Sequence, residues 1–157
     1  GCQAFLELVI DRDKIADGLL DHVERAARAD IDGLTRRRFL ERERHARDDV
    51  VDQVRERVQG KKVLVVLDSN HTHDHVLEEL RLYAPLVSVD SYCVVMDTVV
   101  EDMPADAFPD RPWGPGDNPK TAVWAYLKEN ADFEIDQHMQ DKLLITVASD
   151  GYLRRVR

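Results

Sequence analysis

The run Val63-Leu64-Val65-Val66-Leu67 limits the fold more than any other stretch of this chain. Its apolar residues do not alternate with polar ones, as they would on a strand with one wet face. An unbroken β-branched and leucine run suits a strand of a parallel sheet covered on both faces. It ends abruptly in Asp68-Ser69-Asn70-His71. Polar residues at the carboxyl end of such a strand lie where open α/β sheets place their ligands. Behind them, Val76, Leu77, Leu80 and Tyr83 give a helical stripe over 75–83, and Pro85 stops it. A second apolar run, Tyr92-Cys93-Val94-Val95-Met96, ends in another acid, Asp97. Strand, helix and strand fit within about 30 residues, the usual span of a right-handed parallel crossover.

The rest of this half reads in the same terms. Residues 99–117 form a long loop with four prolines, Gly114, Gly116 and Trp113. Loops of that length in compact domains are commonly binding loops, and this one reads as an ordered lid. Asn118 caps and Pro119 opens a helix over 119–130. Phe133–Asp136 is a short strand candidate, and Leu143–Val147 a stronger one. Asp150-Gly151 is a turn signal, after which Tyr152–Val156 returns as an antiparallel partner. The expected core is parallel strands near 63–67, 92–96 and 143–147, with helices on both faces.

The first sixty residues differ. Ile15, Leu19, Val23 and Ala26 predict a helix over 12–29, and a valine stripe predicts a firm one over 48–59, capped by Asp48 or Asp49 and ended by Gly60. Between them, 24–47 holds eight arginines interleaved with acids and only four large apolar residues, Ile31, Leu34, Phe39 and Leu40. A basic run in an acidic protein can bind phosphate or nucleic acid, but with acids interleaved it reads rather as a solvated helix face with low order. The expectation is a single domain over 1–157, in which 1–60 is an atypical, mostly helical part and 61–157 the C-terminal half of an α/β domain. Gly1, Gly18, Gly33 and Gly60 precede the first clear strand and none sits in a GxG, while Gly114-Pro115-Gly116 lies in the lid and not in a strand-to-helix turn, so no nucleotide cradle is visible.

Composition excludes several classes. The formal charge of −9 argues against nucleic acid and anionic membrane as partners. No apolar run is long enough to span a bilayer, and two cysteines rule out a disulfide scaffold and point to a reducing, cytoplasmic setting.

Chemistry concentrates at the strand ends. If strands 63–67 and 92–96 are neighbours, the Asp68 and Asp97 carboxylates can share a hard divalent ion; alternatively, each caps the turn that follows it. His71 can serve beside the ion as a general base or hydrogen-bond donor. His71, His73 and His75 alternate in an irregular loop with no further ligand in view, which argues against zinc.

The segments VVLDSNHTHDHVLEELRLYAPLV, SYCVVMDT, NPKTAVWAYL and LLITVASDGYLRRV resemble the cephalosporin hydroxylase family, also called the rhamnosyl O-methyltransferase family. The resemblance covers the C-terminal three-fifths. It implies a Rossmann-like methyltransferase fold that binds S-adenosylmethionine and often magnesium and acts on a hydroxyl of a sugar or antibiotic-type small molecule. It further implies that Asp68 and Asp97 ligate the metal and that the lid carrying Trp113, followed by Asn118, closes over substrate. Such sites commonly carry a second acid beside Asp97. Here the neighbours are Met96 and Thr98, and Thr98, Glu101 or Asp102 can substitute. His71 or Asp68 is then the base. The first sixty residues lack the family pattern, which suggests a truncated or frame-disrupted member that binds S-adenosylmethionine weakly or not at all. The competing reading is a non-catalytic remnant whose charged helices dock onto a partner or a second copy. Iron hydroxylase chemistry, suggested by the family's name, lacks a converging triad of two histidines and a carboxylate.

Overall fold

The computed structural model describes residues 5–11 and 50–157, with side chains from 50 onward. The chain falls into two units, Gly1–Ile10 with Gly60–Arg157, and Asp11–Gln59. In the second, the described part is a helix over 50–58 that buries Val51 and Val58 and meets Gly60 in the left-handed region at φ 70°. Glycine reaches that region without a Cβ penalty, so the helix ends there. The expected helix over 12–29 and the low order of 24–47 lie outside the described residues.

The first unit is built on five strands: β1 (Phe5–Asp11), β2 (Lys62–Asp68), β3 (Tyr92–Val95), β4 (Phe133–Ile135) and β5 (Tyr152–Arg155), in the spatial order β1-β2-β3-β5-β4. Its helices are α1 (His73–Tyr83), α2 (Pro119–Glu129) and α3 (Gln137–Leu143). β2 and β3 pair in parallel, with Val65 opposite Cys93 and Leu67 opposite Val95. That register sets the ends of both strands, and hence Asp68 and Asp97, on one edge of the sheet.

The antiparallel return expected over 152–156 is present: β5 runs antiparallel to both β3 and β4, so the sheet is mixed. The sheet departs from the sequence reading in two ways. Residues 143–147 are not a strand. Leu143 ends α3, whose start is capped by the Asp136 carboxylate accepting from the Met139 N–H, and Leu144 and Ile145 are left exposed. The place beside β3 goes to Tyr152–Arg155 instead. Finally, Phe5–Asp11, a segment in which the sequence reading saw no strand, is the edge strand beside β2.

Burial explains why the fold holds. Val63, Val65 and Leu67 of β2, Cys93 and Val95 of β3 and Leu153 of β5 are buried, while Leu64, Val66 and Val94 are half-buried. The two faces of the sheet are therefore unequal, although the run in β2 is uniformly apolar. Leu80 of α1 and Ala122 and Val123 of α2 are fully buried as the two helices pack together beside β2 and β3. Arg81 of α1 also grips Glu129 of α2 through contacts of 2.6 to 3.0 Å. That pair is half-exposed and adds little to stability.

One polar link has a pH signature. The Tyr92 hydroxyl donates to Asp136 Oδ2 at 2.7 Å, and the Met139 N–H donates to Oδ1 at 3.1 Å. The tyrosine bond first, then the backbone bonds, hold the Asp136 carboxyl below its usual range. A depressed folded value stabilises the protein above the unfolded value, about 3.9 for aspartate, and the gain fades as pH falls through the folded value. Asp136→Asn is therefore expected to flatten the acid limb of a melting-temperature curve below about pH 4. An unchanged limb would count against the link.

Candidate functional site

Three side chains meet beyond the carboxyl ends of β2 and β3. Asp68 is the last residue of β2, His71 lies in the turn to α1, and Asp97 follows β3. One ligand atom from each lies within 4.8 Å of the other two. Asp68 is exposed, while His71 and Asp97 are partly buried. Local structure sets each position. The Met96 N–H donates to the Leu67 carbonyl at 3.0 Å, continuing the parallel pairing one residue past β3. Asp97 then turns the chain in the left-handed region at φ 54°, which aspartate tolerates better than most residues.

His71 is held from three sides. Its Nδ1–H donates to the Ser69 carbonyl at 3.1 Å, and Nε2 faces Asp97 Oδ2 at 2.5 Å. Its ring stacks on Trp113, centroids 5.0 Å apart and planes 21° from parallel. Phe108 tilts against Trp113 with centroids 5.0 Å apart, and the Arg111 guanidinium lies 5.7 Å from the indole centroid. The long loop thus places an aromatic cluster directly on the histidine.

That loop is latched at its end. Asn118 is fully buried and does two tasks. Its side-chain oxygen accepts from the Lys120 and Thr121 N–H groups and caps α2. Its amide nitrogen donates to the Gly114 carbonyl at 2.9 Å and to Glu101. Glu101 also accepts from the Gly116 N–H at 2.7 Å, and Asp117 accepts from the His73 N–H at 2.6 Å. Trp113 and Asn118 therefore belong to one loop fixed at its base.

The substitutes for a second acid are engaged elsewhere. The Thr98 hydroxyl donates to the Val147 carbonyl at 3.4 Å and is fully buried. Glu101 serves the latch. Asp102 accepts from Lys120 Nζ at 2.7 Å. His73 and His75 go to separate partners, Thr121 for the first and Ser69 with Glu79 for the second.

Some polar features were not read from the sequence. Lys120 is buried between Asp102 and Ser149, and Glu79 is buried with only one of its oxygens bonded. The spacing of His75 and Glu79, four residues apart on a helix, was the one available signal. Joining His71 to Trp113 requires tertiary structure, because 42 positions separate them.

Two carboxylates and an imidazole thus gather at the ends of the parallel strands of a mixed α/β sheet, the edge at which open α/β sheets place their ligands. The chain belongs to the family described as Rhamnosyl O-methyltransferase/CmcI, which it matches over residues 23–156, so the match extends well into the first sixty residues, which the sequence reading left outside the family pattern. It is 37% identical over 95 residues to proteins named rhamnosyl O-methyltransferase from Mycobacterium tuberculosis (strain H37Rv) and Mycobacterium bovis (strain BCG Pasteur), in each case 60% of this chain and 36% of the relative. It is 35% identical over 96 residues to the protein of that name from Mycobacterium leprae, 39% of that relative. The chain thus matches well under half the length of these curated relatives. No solved structure matches it.

Proposed function

We propose that this chain carries the metal- and substrate-binding part of an O-methyltransferase that uses S-adenosylmethionine and acts on a hydroxyl of a sugar or antibiotic-type scaffold. What carries the reading is the convergence of Asp68, His71 and Asp97 under Trp113, and the names of its relatives support it. The donor set fits a divalent ion. Neighbouring ligands on an octahedral ion of 2.0–2.2 Å bond length stand about 3 Å apart, and the three donors already lie within 4.8 Å of one another.

A divalent ion held there would acidify a bound hydroxyl. The protein's own residues do the rest. Asp68, the exposed member, has two carboxylate oxygens, so it can ligate with one and accept the hydroxyl's proton with the other. Asp97 and His71 fix the position, and the Ser69 carbonyl sets the histidine's tautomer. Trp113 and Phe108 offer apolar faces against which a ring substrate packs while water is excluded. For S-adenosylmethionine the described residues supply no cradle. Gly60, Gly114 and Gly116 lie in turns or the loop, and Gly151 is closed off by the Val95 carbonyl. No residue is assigned to the cofactor. Among the described residues, no helix is long and apolar enough to cross a membrane.

The test is transfer of a labelled methyl group from S-adenosylmethionine to a panel of rhamnosides and other hydroxylated scaffolds, with and without divalent ion. Ion-dependent labelling is expected. Ion binding with no labelling of any acceptor and no cofactor binding by calorimetry would leave the non-catalytic reading instead.

A further inference from the structure

We infer that the Asp68–His71–Asp97 centre is built for a first-row transition ion such as manganese(II) or cobalt(II), in preference to magnesium. The inference rests on the metal reading above and specifies the ion. Magnesium favours near-ideal octahedral oxygen ligation and keeps its waters, whereas the first-row transition ions accept a mixed nitrogen and oxygen set, cobalt(II) more strongly than manganese(II). The position that would bring a further oxygen, beside Asp97, is Met96. The neighbouring oxygens are committed: Thr98 to Val147, Glu101 to the Asn118 latch, and Asp102 to Lys120. The third donor at this centre is therefore the Nε2 of His71.

That nitrogen is prepared as a ligand. Metal-binding histidines usually donate their other ring N–H to a carbonyl or carboxylate, which fixes the tautomer and leaves a lone pair for the ion. His71 has this arrangement, with Nδ1 on the Ser69 carbonyl. Trp113 stacked on the ring holds its plane. Nε2 is hydrogen-bonded to Asp97 Oδ2 at 2.5 Å, and an ion would take the place of that bond, the two atoms opening by about half an ångström to the separation of adjacent ligands on an octahedral ion. Two carboxylates and one imidazole leave three positions for water and substrate oxygens, a set that manganese(II) and cobalt(II) accept readily.

The experiment is calorimetric titration of the full chain with manganese, cobalt and magnesium chlorides, repeated on His71→Asp and His71→Ala. For the parent, manganese should bind at least tenfold tighter than magnesium. His71→Asp replaces nitrogen by oxygen, so the manganese-to-magnesium ratio should fall several-fold while magnesium binding is kept or improved. His71→Ala should weaken manganese 10- to 100-fold, the usual effect of losing a ligand or its support. Pulsed electron paramagnetic resonance of the manganese-loaded parent should show nitrogen coupling that His71→Asp lacks. Equal affinity for magnesium and manganese, or an unchanged ratio in His71→Asp, overturns the inference while leaving a metal site standing. Binding of no divalent ion overturns the inference together with the metal reading. Melting curves of each variant without metal distinguish loss of a ligand from loss of fold.

Discussion

Gly151→Ala is expected to cost about 3 kcal/mol or more, placing it among the severe single substitutions. A Cβ at this position would sit 2.2 Å from the Val95 carbonyl oxygen and 3.1 Å from that of Ala148. Both are backbone atoms, and neither can rotate away as a side chain would. The Gly151 carbonyl also accepts from the Val95 N–H at 2.9 Å, so any retreat strains the register of β3 and β5. Gly116→Ala is the internal control. Its φ of 90° disfavours a side chain, but nothing lies within 4 Å, and a cost of about 1 kcal/mol is expected. Urea unfolding of the two variants measures both. A Gly151→Ala loss below that of Gly116→Ala would show that the close approach is not maintained in solution. Because only Met96 separates Val95 from Asp97, Gly151→Ala should also weaken metal binding from a distance.

Asp97→Asn is expected to remove most of the metal-linked stabilisation while leaving the metal-free protein near its parent stability. At metal concentrations a hundredfold above the dissociation constant, an ion that binds only the folded state contributes about 2.7 kcal/mol. Asparagine suits the left-handed backbone at φ 54° as well as aspartate does, so this substitution separates ligand chemistry from backbone strain. Asp97→Ala would confound the two. The measurement is the shift in melting temperature on adding manganese to parent and variant. An equal shift in both would remove Asp97 from the ligand set.

Residues whose surroundings are decided locally were legible from the sequence. The Val63–Leu67 run, the helix behind it and the acid-terminated second run were read as a parallel β-α-β unit, and β2, α1 and β3 have that arrangement. The cap at Asn118-Pro119 was legible for the same reason: the side chain and the N–H groups it satisfies lie within four residues. Leu143–Val147 was misread because strand propensity is mostly a measure of what a segment packs against. Its neighbour Tyr152–Arg155 takes the place beside β3, with Leu153 fully buried, while Ile145 stays 92% exposed. Phe5–Asp11 went unread as a strand because Glu7 interrupts its apolar run, and its pairing with β2 joins segments fifty residues apart. At the site, the strand-end acids could be named from sequence, but their closeness to His71 and its stack on Trp113 could not. Those contacts depend on where a long loop folds back, and no local pattern encodes that.

The position of β5 bears on how the chain is made. β5 follows β4 in sequence yet lies between β3 and β4 in space. As synthesis proceeds from the N-terminus, β3 therefore emerges with one edge open, and β4 has no strand to join. That edge carries the free backbone groups of Tyr92 to Val94, which later pair with Tyr152 to Arg154. An open apolar edge is a template for pairing with another chain. The nascent protein is thus most prone to aggregate in the interval before residues 152–155 emerge, when a chaperone that shields β3 would help it most.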